Sequence, residues 1–178
     1  MTTAVYAGSF DPVTLGHLDL ILKASKSFQE VIVGVGANSQ KKQPLFDQDE
    51  RIKLVRGALS EISATKSGLL SNSTRDRIYV MPFNGLLVDF CLAQSATVIV
   101  RGLRAVSDFE VEMAIAHANS SMCQHIDTVF FPTKPEHSFV SSSTVKEIAF
   151  HPSTTGWASL HQYVTSNVLE ALREKKFK

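Results

Sequence analysis

Apolar positions along the chain follow two patterns in turn. Short runs that are apolar at consecutive positions and rich in β-branched residues alternate with longer stretches whose apolar positions fall three and four apart. Ala4-Val5-Tyr6-Ala7, ended by Gly8, reads as a buried strand. Val31-Ile32-Val33-Gly34-Val35-Gly36 reads as a second, covered on both faces. Between them Gly16 to Phe28 sets Leu18, Ile21, Leu22, Ala24 and Phe28 near helical spacing, so the chain opens with a strand–helix–strand unit. Further strands are expected at Ile78–Met81, Thr97–Val100 and Asp127–Phe131, the last stopped by Pro132.

The helices between these strands carry their own start signals. Phe46-Asp47-x-x-Glu50 predicts an N-cap at Asp47, a capping-box partner at Glu50 and a staple at Phe46, followed by Ile52, Val55, Leu59 and Ile62 on one face. Gly85 to Ala93 predicts a helix through Leu86, Leu87 and Phe90. Ser107-x-x-Glu110 reads as a second capping box, opening a helix to about Ser121 with Phe109, Met113 and Ala116 inward. Ser141-Ser142-Ser143 opens another through Phe150. Ala37 to Pro44 and Ala64 to Arg77 read as exposed loops, and Trp157 to Lys178 as a C-terminal helical segment with a basic, solvated end. One-to-one alternation of strand and helix implies an α/β fold: a single domain over residues 1–178 with a doubly wound, five-stranded parallel sheet.

Composition narrows the function. A chain of 178 residues buries a core without disulfides, and a net charge of +1 supplies no field for nonspecific binding to nucleic acid or membrane. Phosphate chemistry would need locally gathered cations. Cys91 and Cys123 both sit in helical patterns, so no disulfide framework is expected, and a reducing, cytoplasmic setting fits. No secretory signal and no apolar run of transmembrane length is read.

In a doubly wound sheet, ligands bind past the carboxyl ends of the strands, where strand order reverses. Past the first strand come Gly8, Ser9, Thr14 and His17; past the second, Lys41 and Lys42; past the fourth, Arg101 and Arg104; past the fifth, His137, Ser138 and Ser141–Ser143. Four cations, two imidazoles and several hydroxyls thus gather on one edge of a nearly neutral protein. Thr14 and His17, three apart at a helix start, project to one side. Gly16 permits close approach, and a helix N-terminus offers N–H groups to an anion. A neutral or protonated His17 can donate to a phosphoryl oxygen, and the planar arginine fork matches phosphate. Glu112 either binds a ribose, orients an arginine or lies exposed on its helix. Other signals are set aside. Ser143-x-x-Lys146 lacks the companion motifs of β-lactamase-type enzymes, and Gly34-x-Gly36 lacks a third glycine. His117, Cys123 and His125 do not have the spacing of a standard zinc set.

Gly8-Ser9-Phe10-Asp11-Pro12-Val13-Thr14-Leu15-Gly16-His17 resembles the first signature of the nucleotidyltransferase superfamily with a T/H-x-G-H motif, and Ser141 to Lys146 resembles its second. The block Arg101-Gly102-Leu103-Arg104-Ala105-Val106-Ser107-Asp108-Phe109-Glu110 is similar to a feature of the bacterial phosphopantetheine adenylyltransferases, as are Lys41-Lys42 before Pro44 and His137-Ser138-Phe139-Val140. The resemblance spans essentially the whole chain and implies a Rossmann-like nucleotidyltransferase fold. It implies AMP transfer from ATP to 4′-phosphopantetheine, giving dephospho-coenzyme A and pyrophosphate. By the same resemblance His17 is catalytic and Ser9 touches both substrates. Lys41 and Arg101 hold the acceptor phosphate, and Leu87 lines the pantetheine channel. Phe10, Gly102, Leu103, Arg104, Glu112, His137, Ser138, Phe139, Val140, Ser141, Ser142 and Ser143 surround ATP. Mg²⁺ on the phosphates, a homohexamer and feedback by coenzyme A are implied as well.

The motifs hold no protein nucleophile or strong base, which suits direct in-line attack by a phosphate that is already nucleophilic. Ser9 stands where many members of the family have threonine. Gln43 lengthens the Lys41-Lys42 loop, and the stretch from Ala64 to Arg77 is long for a compact member and reads as a mobile surface loop. The competing readings are a related transferase acting on nicotinamide mononucleotide or glycerol phosphate, and a non-catalytic nucleotide-binding module.

Overall fold

A computed structural model describes residues 2–37, 44–64, 72–152 and 154–177. Its sheet has five parallel strands: β1 Thr3–Gly8, β2 Glu30–Gly36, β3 Ile78–Phe83, β4 Val98–Leu103 and β5 Asp127–Pro132, in the order β3-β2-β1-β4-β5. The order reverses between β1 and β4, as a doubly wound sheet requires. The edge positions explain the prolines. Pro82 in β3 and Pro132 closing β5 lie on outer strands, where a missing N–H costs least.

Helices α1 Leu15–Ser27, α2 Gln48–Ala64, α4 Leu87–Ala93, α5 Val106–Met122 and α6 Ser142–Phe150 fall where the periodicity predicts them. Three further helices are α3 Asn72–Arg75, α7 Thr154–Ser159 and α8 Ser166–Lys176. Successive strand residues point to opposite faces and divide the core. Ala4, Tyr6, Val31, Val33 and Val100 pack beneath α1, α2, α6 and α8 through Ile21, Val55, Val145, Val168 and Leu172. Val5, Ala7, Ile32 and Ile99 pack beneath α4 through Val88 and Cys91, with Ile126.

The Asp47–Glu50 box forms as expected, each backbone N–H donating to the other's carboxylate at 2.8 Å. Four expectations change. Arg101, Gly102 and Leu103 lie within β4 rather than past it, because the ladder to Phe130, Phe131 and Pro132 of β5 continues through them. The Ser107–Glu110 box does not form. The N-cap of α5 is Ala105, and Asp108 turns back instead to accept from the Arg104 backbone and guanidinium. Phe109 is exposed, while Met113 and Ala116 are half-buried. The exposed loop expected over 64–77 contains the turn of α3, and its middle, residues 65–71, lies outside the described residues. The C-terminal segment is helical as expected and contributes to the core: Leu160, Val168 and Leu172 are fully buried, and Lys175 pairs with Glu50 at 2.9 Å.

Candidate active site

β1 and β4 pair only from Ala4–Val98 to Tyr6–Val100. Beyond that point they part, and a cleft of about 470 Å³ opens at the carboxyl end of the sheet. One residue past the last paired position, the Arg101 guanidinium takes over the ladder's task and donates to the Ala7 carbonyl at 3.1 Å. Its other nitrogens form a fork onto Glu112, Nε to Oε2 at 2.6 Å and Nη2 to Oε1 at 2.7 Å. Burial alone would lower the guanidinium pKa, but the Glu112 carboxylate outweighs it and raises it. Of the readings open for Glu112, orienting an arginine is the contact observed.

The far wall is the turn from β1 into α1. Thr14 caps α1, and its N–H donates to Nδ1 of His17 at 3.0 Å while its hydroxyl lies 2.9 Å from the same nitrogen. The His17 N–H closes the box on the Thr14 hydroxyl at 3.4 Å. His17 occupies the position a Glu or Gln fills in an ordinary capping box. Burial, helped by the Arg104 charge, lowers its pKa to about 4, which favours the neutral imidazole. Phe10, fully buried at φ 47°, packs edge-on against both His17 and Tyr6. Gly16 leaves ordinary room, since a Cβ there would meet His137 at 3.6 Å, and the protein itself makes no close approach there. Gly102 is the demanding glycine: a Cβ would collide with Leu20 Cδ1.

The third wall is the chain after β5. Ser141 caps α6, accepting from the Thr144 N–H at 3.0 Å, so the α6 N-terminus faces the cleft. Ser142 donates to the Pro12 carbonyl at 2.8 Å and ties α6 to the first turn. Nδ1 of His137 and Oγ1 of Thr133 are buried at the cleft without a hydrogen-bond partner among the described residues.

The structure thus brings Ser9, His17, Arg101, Gly102, Arg104, Glu112, His137, Val140, Ser141 and Ser142 to one cleft. Phe10 lies beneath it rather than in its wall. Leu103, Ser138, Phe139 and Ser143 flank it, Phe139 exposed and edge-on to Tyr163. Leu87 sits half-buried against the α4-side core, away from the cleft. Lys41 and Lys42 lie outside the described residues. Among the described residues no three His, Cys, Asp or Glu stand together as a metal site.

Three residues escape a reading of strand ends. Arg51 is 2% exposed yet donates to the carbonyls of Ser9 at 2.7 Å, Gly36 at 2.8 Å and Phe46 at 3.0 Å, holding together the ends of β1 and β2 and the start of α2. Asp11 and Lys146 join the two signature motifs at 2.8 Å. Their places inside the two motifs are the one hint in the sequence of such a role.

A family model described as cytidylyltransferase-like matches residues 5–148. This chain belongs to that family. A phosphopantetheine adenylyltransferase from Heliobacterium modesticaldum is 45% identical over 175 residues, covering 98% of this chain and 93% of the relative. Another from Lachnoclostridium phytofermentans is 41% identical over 175 residues, covering 98% of this chain and 96% of the relative. The chain is therefore a nucleotidyltransferase enzyme of the phosphopantetheine adenylyltransferase group. In fold it is similar to a Plasmodium falciparum nicotinic acid mononucleotide adenylyltransferase complexed with NaAD, with a TM-score of 0.71 at 13% identity over 97% of this chain and 95% of that one. It is also similar to a bifunctional NMN adenylyltransferase/ADP ribose pyrophosphatase from Francisella tularensis, with a TM-score of 0.69 at 14% identity over 99% of this chain and 50% of that one.

Proposed function

We propose that the cleft transfers the adenylyl group of ATP to 4′-phosphopantetheine, forming dephospho-coenzyme A and releasing pyrophosphate. An oxygen of the acceptor phosphate attacks the α-phosphorus in line. The bond from that phosphorus to the bridging oxygen breaks as the new P–O bond forms, and no covalent enzyme intermediate arises. The observation that carries this reading is the neutral His17, whose Nδ1 is occupied by the Thr14 N–H and whose Nε2–H is therefore left to donate at the cleft. A donor placed there stabilises charge on the crowded phosphorus and does not act as a base.

The two substrates meet at Ser9. Arg101, aimed by Glu112, and Lys41 hold the acceptor phosphate, and Leu87 flanks the pantetheine arm. The α6 N-terminus receives the triphosphate with Ser141, Ser142 and Ser143. Gly102, Leu103, Arg104, Glu112 and the stretch His137 to Val140 enclose the nucleotide, with Phe10 supporting His17 from below.

Mg²⁺ fits as an ion carried on the ATP phosphates. The carboxylates beside the described cleft, Glu112 and Asp108, are engaged by Arg101 and Arg104, which suits an ion held by phosphate oxygens and not by a protein cage. When bound, it would neutralise phosphate charge.

One nucleotidyltransferase domain over residues 1–178 accounts for a C-terminal segment that packs into the same core as β1. No helix among the described residues is long and apolar enough to cross a membrane, in keeping with a cytoplasmic enzyme. α5 exposes Val106 and Phe109 near its start and Val111, Ile115 and Met122 farther along, apolar side chains that support assembly into an oligomer such as a homohexamer. Coenzyme A, sharing the acceptor's phosphopantetheine arm, is the expected feedback ligand.

Pyrophosphate release from ATP tests the reading, with 4′-phosphopantetheine and nicotinamide mononucleotide compared as acceptors. Release with the first alone supports it; release with the second alone moves the assignment to a mononucleotide acceptor.

A further inference from the structure

Asp11 is 2% exposed and uses both carboxylate oxygens. Oδ1 accepts from the Phe46 N–H at 3.0 Å; Oδ2 accepts from the Leu45 N–H at 3.1 Å and from Lys146 Nζ at 2.8 Å. Those three donors come from two separate parts of the chain: the backbone leading into α2, and α6, whose N-terminal serines line the cleft. Leu45 and Phe46 end the segment that carries Lys41 and Lys42, whereas Lys146 lies one helical turn into α6, behind the serines of its N-terminus.

We infer that Asp11 and Lys146 are a positioning pair that sets the two substrate flanks in register with His17. Asp11 fixes the backbone at Leu45 and Phe46 on the acceptor side, and Lys146 seats α6 on Asp11 for the nucleotide. The assignment of each flank to its substrate rests on the proposed adenylyl transfer.

The physical reason is charge as much as geometry. A buried carboxylate two residues from Ser9 stands close to where polyphosphate must enter, and a like charge there is unfavourable unless it is neutralised. Lys146 supplies the neutralising cation. Because its side chain is 35% exposed, the fold does not depend on it as it would on a fully buried ion. Two anchors of different kinds therefore hold α6: the Ser142 hydroxyl on the Pro12 carbonyl and the Lys146 ammonium on Asp11. Asp11 also satisfies two backbone N–H groups that no carboxamide can satisfy together with the ammonium, since an amide offers one acceptor oxygen and two donors.

The two residues consequently separate by substrate. Lys146→Met should weaken ATP binding, titrated calorimetrically into the full chain without acceptor, by roughly tenfold, the range typical of coupling between sites. Its KM for 4′-phosphopantetheine should stay within about twofold, as expected for a flank it does not touch. Lys146→Arg, which keeps the cation, should restore most of the ATP affinity. Asp11→Asn should raise both KM values. Unchanged ATP affinity in Lys146→Met, equal losses for both substrates, or failure of Lys146→Arg to restore binding would each overturn the inference. Should Asp11→Asn fail to fold, the two Lys146 variants decide alone. The calorimetric arm contains no acceptor, so a wrong choice of acceptor would show in the pyrophosphate assay and leave the ATP-side result standing.

Discussion

The backbone N–H of Thr14 donates to Nδ1 of His17 across 3.0 Å, and that bond sets the tautomer of the imidazole. A ring nitrogen that accepts from an amide carries no proton, so the neutral ring must be protonated at Nε2. The helix cap and the chemistry thus share one side chain.

This tautomer should be visible directly. Nitrogen-15 histidine spectra at about pH 6, between the folded value near 4 and the ordinary value of 6.5, should show His17 unprotonated at Nδ1 and protonated at Nε2. The sign of the stability effect follows. Between those values the unfolded chain binds a proton that the folded chain does not, so stability is complete above the upper value and declines as pH falls toward the lower. A doubly protonated ring at pH 6 would contradict the assignment.

Substitution separates the two tasks of His17. His17→Ala should lower turnover by about 10²–10³, the usual effect of losing one such donor, with ATP affinity largely kept. It should also lose about 1 kcal/mol of stability, because the Thr14 N–H loses its partner. His17→Gln places an ordinary capping-box residue at that position and should recover the stability without the turnover. Thermal melts beside single-turnover rates make the comparison; wild-type turnover in either variant would remove His17 from the mechanism.

Arg51 should matter more for stability than a charged residue on a helix usually does. Arg51→Ala strips the donor from the carbonyls of Ser9 and Gly36 at once, and each buried acceptor left alone costs about 1–3 kcal/mol. A loss of at least about 2 kcal/mol in urea unfolding is expected from the two together. Arg51→Lys, with one compact ammonium in place of a fork, should recover only part.

The apolar side chains exposed on α5 predict assembly through that helix. Phe109→Glu and Ile115→Glu should lower the mass measured by light scattering while leaving the monomer folded by circular dichroism. Unchanged mass in both variants would place the contact elsewhere.

Most of the sheet was legible because buried parallel strands are apolar at consecutive positions, a pattern that needs no knowledge of neighbours. Arg101 shows the limit. Its charge marks the end of an apolar run, yet the ladder to Phe130 carries the strand through it, and only the paired strand reveals that. The capping box expected at Ser107 failed because α5 starts earlier, with Ala105 as its N-cap, so Ser107 lies inside the first turn. Gathering the cleft residues from strand ends worked because topology alone brings those ends together. It missed Arg51, whose donors go to backbone carbonyls that have no signature in the side-chain sequence. It also missed Lys146, whose partner Asp11 lies 135 positions away.

The two faces of the sheet are covered unequally, with α1, α2, α6 and α8 over a broad core on one side and α4 and α5 over a narrow one on the other. Protection against hydrogen exchange should follow that division, with α5 amides in the isolated subunit opening at lower free energy than those of α1. Glu112 rides on the thinner layer and, through it, so does the aim of Arg101. If the chain assembles over α5 as proposed, that packing would slow the breathing of the arginine's support and tune the proposed acceptor site without touching it.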